Sequence, residues 1–125
     1  MTSRRPYLIR ALYQWVLDNG LTPHVLVDAE RAGVDVPADH VQGGRVVLNV
    51  SPSAVRSLDI GNEWVEMVAR FGGVSRRVRF PVTAVLAIYA RENGQGMAFP
   101  EEEPGHEPPP ERRGPPERPS LRVVK

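Results

Sequence analysis

The chain has 125 residues and a mass of 13.9 kDa, with 41% apolar residues, 25% charged residues and a net charge of +1, the proportions of one domain with a modest core. It has no cysteine, and its three histidines, His24, His40 and His106, are far apart, so a disulfide scaffold, a thiolate nucleophile and a histidine- or cysteine-built metal site are all disfavoured. No apolar run approaches the ~18–20 residues of a membrane span and the N-terminus lacks the apolar stretch of a signal peptide, so a cytoplasmic protein is expected.

The first element reads as a helix over residues 6–18. Pro6 suits a first helical turn, where its missing N–H has no partner to lose, and Asn19-Gly20 is a common left-handed stop. Arg10, Gln14 and Asp18 form one narrow polar stripe on an otherwise apolar helix. A helix on the outside of a small domain needs only one apolar face. This one has nearly two, which fits either a central helix wrapped by sheet or a helix shared between its own domain and a second subunit.

Beyond Leu21 the period shortens towards two. Val25 and Val27 alternate, as do Val34 and Val36, and residues 45–50 form a β-branched run that stops at Ser51-Pro52. Residues 52–58 are compatible with a helical turn. Residues 64–71 alternate cleanly, with Val65, Met67, Ala69 and Phe71 on one face and Trp64, Glu66, Val68 and Arg70 on the other. Gly72-Gly73 then turns the chain into a second strand over residues 76–80. From Pro81, the spacing of Val82, Val85, Leu86 and Tyr89 predicts a second helix closed by Asn93-Gly94. The sum is a mainly β chain with helices, a small barrel or sandwich preceded by an N-terminal helix.

Eight of the 13 prolines fall within residues 100–119, in a stretch of Pro, Glu, Arg and Gly that has nothing to bury and is expected to stay disordered. The predicted organisation is a folded domain over residues 1–96, a linker over 97–119 and a short terminal motif over 120–125. There Leu121, Val123 and Val124 return apolar side chains beside Arg122 and Lys125. A linker ending in an apolar and basic peptide is the arrangement of a docking motif, the alternative being a ragged terminus.

No catalytic constellation emerges. Three consecutive glutamates at 101–103 sit where nothing would position them, His24 has no evident nucleophile, and the glycine pairs lack the lysine of a phosphate loop. An enzyme is not expected, and neither is a cofactor. Arg70, Arg76, Arg77 and Arg79 cluster with Phe71 and Phe80 around the hairpin, a pattern that suits nucleic acid or an acidic peptide equally.

Four blocks, RRPYLIRALYQWVLDNGLTPHVLVD, VARFGG, FPVTAVLAIYARENG and the terminal LRVVK, together resemble the stringent starvation protein B (SspB) family. The resemblance implies a partly open, Sm-like β-barrel behind an N-terminal helix, and a homodimer seated on that helix through Leu8, Leu12, Trp15 and Val16. It implies an adaptor that holds ssrA-tagged polypeptides in a groove and enhances their degradation by the ClpXP protease. Carried over residue by residue, the groove falls on Thr22, His24, Val25, Asn49, Met67, Ala69, Arg70 and Phe71. The docking tail falls on Leu121, Arg122, Val123, Val124 and Lys125, its partner being the N-terminal zinc-binding domain of ClpX, to which the zinc belongs. Pro115-Pro116-Glu117 stands where a glycine-rich approach is the family's pattern. The rival expectation is an RNA-binding Sm-like barrel using the arginine hairpin.

Overall fold

In the computed structural model, residues 3–99 are described. Helix α1, Arg5–Asp18, begins one residue before the expected Pro6, which lies in its first turn, and ends where Asn19 donates its backbone and side-chain N–H groups to the Trp15 carbonyl. Gly20, at φ 72°, takes the left-handed turn that redirects the chain. Seven antiparallel strands follow: β1 Pro23–Asp28, β2 Arg45–Asn49, β3 Val55–Ile60, β4 Trp64–Phe71, β5 Val74–Pro81, β6 Val85–Ala90 and β7 Gly96–Ala98. They form two sheets, of order β2-β1-β6-β7 and β3-β4-β5, which face one another without closing completely. A mainly β, partly open barrel behind one helix is therefore what the chain folds into.

Alternation explains the core. On β4, Val65, Met67 and Ala69 point inward; on β5, Val78 and Phe80 do so; on β1 and β2, Val25, Val27, Val46 and Leu48 face them. Ile9 of α1 plugs one end, lining an interior gap with Val25, Leu58, Phe80 and Ile88. Arg5 secures the helix start: its guanidinium donates to the carbonyls of Thr83 and Val85 and lies 5.1 Å from the Phe99 ring centre. The β4–β5 hairpin is paired over eight registers, from Trp64↔Pro81 to Phe71↔Val74. Gly72 and Gly73, at φ 61° and 83°, supply the two left-handed residues of its tight turn.

Four expectations are corrected. Residues 82–94 hold no second helix: a 3-10 turn, Val82–Ala84, leads into β6. A short apolar run such as Val-Leu-Ala-Ile-Tyr-Ala satisfies either period, and pairing with β1 on one side and β7 on the other decides for strand. Val34 and Val36 do not lie in a strand; only Asp35 between them pairs, through two backbone bonds to Arg79 of 2.7 and 3.1 Å. The turn after Ser51 is tight and gives way to strand at Val55. Finally, the fold does not stop at residue 96. Residues 97–99, assigned to the linker, belong to it, because β7 pairs with β6 and the Phe99 side chain is buried.

Candidate functional site

The residues assigned to the groove fall in three settings. Thr22, His24 and Asn49 sit at one end of the first sheet. Thr22 donates from its backbone N and its Oγ1 to the two carboxylate oxygens of Glu92, at 2.9 and 2.6 Å. Those bonds, the hydroxyl one foremost, hold the Glu92 carboxyl down at about 2. His24 lies across the ladder from Asn49 on β2 and Tyr89 on β6, its ring edge-on to Tyr89 at 5.9 Å. Burial, and then the charge of Arg91, keeps its pKa below the ordinary histidine value against the opposing pull of Glu92. The imidazole is accordingly neutral at pH 7, a hydrogen-bonding surface rather than a fixed cation. Asn49 accepts the Ser51 N–H through its Oδ1.

Val25, Met67 and Ala69 form the second setting. All three are buried in the shared core, so in this structure they back the surface rather than face a ligand. Arg70 and Phe71 end β4 on opposite faces, as alternation requires, with Arg70 exposed on the outer face of the sheet. Phe71 turns into an open cleft of about 340 Å³ lined by Pro37, Asp39, His40, Val74 and Arg76. His40 packs against its ring, centroids 5.0 Å apart. Arg76 spends one guanidinium nitrogen on Asp35 at 2.8 Å, while its Nη1 is buried with no hydrogen-bond partner among the described residues. An orphan donor of that kind costs about 1–3 kcal/mol until an acceptor reaches it. The cleft thus offers an aromatic wall, a histidine and an under-used guanidinium. Sequence reading missed His40 as a site residue, since only the fold brings it to Phe71.

The arginines expected to serve nucleic acid are largely engaged. Arg77 and Arg79 both donate to Glu66, at 2.9 and 3.0 Å, and Arg79 also stacks 3.6 Å from the Trp64 ring centre. Those bonds, led by the one from Arg77, lower the Glu66 pKa. On α1 the polar stripe is not the whole outward face, although its Gln14 and Asp18 are exposed. Arg10 folds over to the Ile60 carbonyl and Asn62, leaving Tyr7, Ala11 and Trp15 exposed at spacings of four. Tyr7 is 53% and Trp15 46% exposed, Leu8 and Leu12 are half-buried, and Val16 belongs to the chain's own core. Leu121, Arg122, Val123, Val124 and Lys125 lie outside the described residues.

A family model described as stringent starvation protein B matches residues 3–125. The chain belongs to the stringent starvation protein B family. It is also 50% identical over 102 residues to the "Stringent starvation protein B homolog" of Haemophilus influenzae, covering 82% of this chain and 68% of that protein. Membership supports an adaptor-type role. Among the described residues, no three His, Asp or Glu side chains are grouped to hold a metal ion, and no helix is long and apolar enough to cross a membrane.

The Thr22–Glu92 pair gives an expected result that needs no ligand. In a carbon-detected NMR titration of the folded protein, the Glu92 carboxyl should titrate at about 2. Thr22→Val, which removes the stronger hydrogen bond, should move it back towards the usual glutamate range. A folded-state pKa below the unfolded one stabilises the fold at pH above the unfolded value. The contribution of Glu92 is therefore complete above the ordinary glutamate value and is lost as pH falls towards 2. His24, also depressed, loses its contribution on the same side of neutrality, below its ordinary value. An unchanged Glu92 titration in the variant would show that Thr22 does not hold the carboxylate.

Proposed function

We propose that this protein is a cytoplasmic proteolytic adaptor. Each subunit takes the upstream part of an ssrA tag along the surface running from Thr22, His24 and Asn49 to Arg70 and Phe71. The tail at Leu121, Arg122, Val123, Val124 and Lys125 docks on the N-terminal zinc-binding domain of ClpX. Two subunits associate through the exposed stripe of α1, Tyr7, Ala11 and Trp15, with Leu8 and Leu12 beside it; an apolar patch of this kind seldom stays bare on a monomer. The observation that carries the reading is the family match, which spans the fold and the terminal motif together.

The Phe71 cleft supports it physically. Its aromatic wall supplies contact area at small entropy cost, beside the Arg76 and His40 side chains. Nothing in this arrangement requires bond chemistry by the adaptor itself. Tethering alone raises the local concentration of client at the protease.

Titration of a fluorescein-labelled ssrA peptide, followed by sedimentation of the same samples, tests the reading. A particle of twice 13.9 kDa binding one peptide per subunit is expected. Phe71→Ala should cost more than about 2 kcal/mol, roughly a thirtyfold weaker complex. Wild-type affinity in a folded Phe71→Ala protein would place the groove elsewhere.

A further inference from the structure

Thr22, between α1 and β1, meets the turn that follows β6, and most of its hydrogen-bonding capacity is engaged there. Its backbone N–H donates to Oε1 of Glu92 at 2.9 Å, and its carbonyl accepts the Arg91 N–H at 2.8 Å. Its Oγ1 lies 2.6 Å from Oε2 of Glu92. A hydroxyl has one hydrogen and two lone pairs, whereas an ionised carboxylate can only accept. Glu92, held down at about 2, is ionised at any pH of use, so the one hydroxyl hydrogen points to it. What Thr22 keeps for a ligand is lone pairs alone. The turn that presents Glu92 is itself fixed. The Gly94 N–H donates to the Ala90 carbonyl and the Ala90 N–H to the Gln95 carbonyl, both at 2.8 Å, while the Gln95 N–H donates to Asn93 Oδ1 at 2.9 Å. Arg91, 3.3 Å from Oε2, braces the carboxylate from the other side.

We propose that Glu92 is a positioning residue of the tag groove: by taking the hydroxyl hydrogen of Thr22 it makes this end of the groove an acceptor, which admits an N–H of the bound polypeptide and rejects a carbonyl or carboxylate oxygen. The inference rests on the groove reading given above, in which Thr22 meets the tag. Glu92 acts through Thr22 without touching the peptide. A threonine hydroxyl free of such a partner rotates to suit a donor or an acceptor alike, and Glu92 removes that freedom. An oxygen brought against the remaining lone pairs finds no hydrogen between, so the discrimination comes from a polar group left unpaired. Glutamine in place of Glu92 inverts the arrangement at nearly constant shape. Its Oε1 keeps the Thr22 backbone N–H, its Nε2 donates to Oγ1, and the hydroxyl hydrogen is released towards the ligand.

The test uses the full chain as wild type, Glu92→Gln, Thr22→Val and the double variant. Each is titrated with a fluorescein-labelled ssrA peptide and with a series lacking one N–H at a time, backbone groups removed by N-methylation and any side-chain amide by conversion to the methyl ester. Glu92→Gln should bind the parent peptide about tenfold more weakly. In the Thr22→Val background the same change should alter affinity by less than about twofold, because no hydroxyl remains to be turned. One peptide of the series should bind the wild type about tenfold more weakly than the parent does, and bind Glu92→Gln no more weakly than it binds the wild type. Unchanged parent affinity in folded Glu92→Gln would overturn the proposal and leave the groove standing. A loss in Glu92→Gln shared equally by every peptide would overturn it as well, reducing Glu92 to a brace for the backbone. Absence of tag binding by the wild type would remove the groove and this inference together.

Discussion

Gly96→Val is expected to unseat β7 and with it the end of the fold. A side chain built on Gly96 runs into the Ile88 carbonyl oxygen and the Tyr89 Cα, both backbone atoms of the strand beneath, so no rotamer relieves the overlap. Restoring the space requires β7 to lift, and lifting β7 withdraws Phe99, whose backbone N–H bonds the Leu86 carbonyl at 2.8 Å and whose ring lies under Arg5. Exposing that phenylalanine alone is worth about 1.5–3 kcal/mol. With roughly 4–8 °C per kcal/mol for a domain of this size, the melting temperature should fall by about 10 °C or more. Phe99→Ala, which empties the pocket without touching the backbone, is the comparison. It should lose a similar amount, and the double variant little more, since both act on one unit. Thermal unfolding by circular dichroism decides it; an unchanged midpoint in Gly96→Val would show β7 to be dispensable.

The second large effect concerns delivery. Deleting residues 121–125 should abolish stimulation of ClpXP on an ssrA-tagged substrate held below its unassisted KM. Affinity for the tag peptide should stay within error of wild type. The groove surface at Thr22, His24, Asn49, Arg70 and Phe71, the cleft around it and the exposed face of α1 are all built within residues 3–99. Mutations in parts that share no contact add rather than couple. Full stimulation by the truncated protein would remove the tail from the proposal, whereas a parallel loss of tag affinity would mean that tail and groove act as one site.

How much of this was legible in the sequence depends on the range of the interaction concerned. Helix α1 and the β4–β5 hairpin were readable because their signals are local: a proline at the first turn, Asn19-Gly20 at the stop, strict alternation from Trp64 to Phe71 and two glycines at the turn. The same alternation assigned Arg70 and Phe71 to opposite faces, and the structure keeps them there. Strand β6 was misread because its residues fit either period and only its two neighbours, β1 and β7, choose between them. Strand β7 was missed because it is three residues long and starts with glycine, which carries no side-chain signal at all. Val16 looked like a second apolar face, yet it fills the chain's own core, since the number of apolar positions does not say which element they meet. His40 was invisible for a related reason. Its contact with Phe71 joins residues 31 positions apart, through a short turn with no periodicity of its own.

The way the chain leaves its fold has a mechanical consequence. Anything pulling on the residues beyond Phe99 loads β7 first, the shortest strand among the described residues, where it is held at the edge of its sheet by pairing to β6 alone. An antiparallel edge strand drawn from its end peels one bond at a time, while strands loaded along their length must break several together. The load next meets the Phe99 ring under Arg5, and through Arg5 the start of α1 and the carbonyls of Thr83 and Val85. Tension on the chain beyond Phe99 is therefore taken up at the helix end of the domain. The hairpin that carries Arg70 and Phe71, paired over all eight registers, lies outside that line of force.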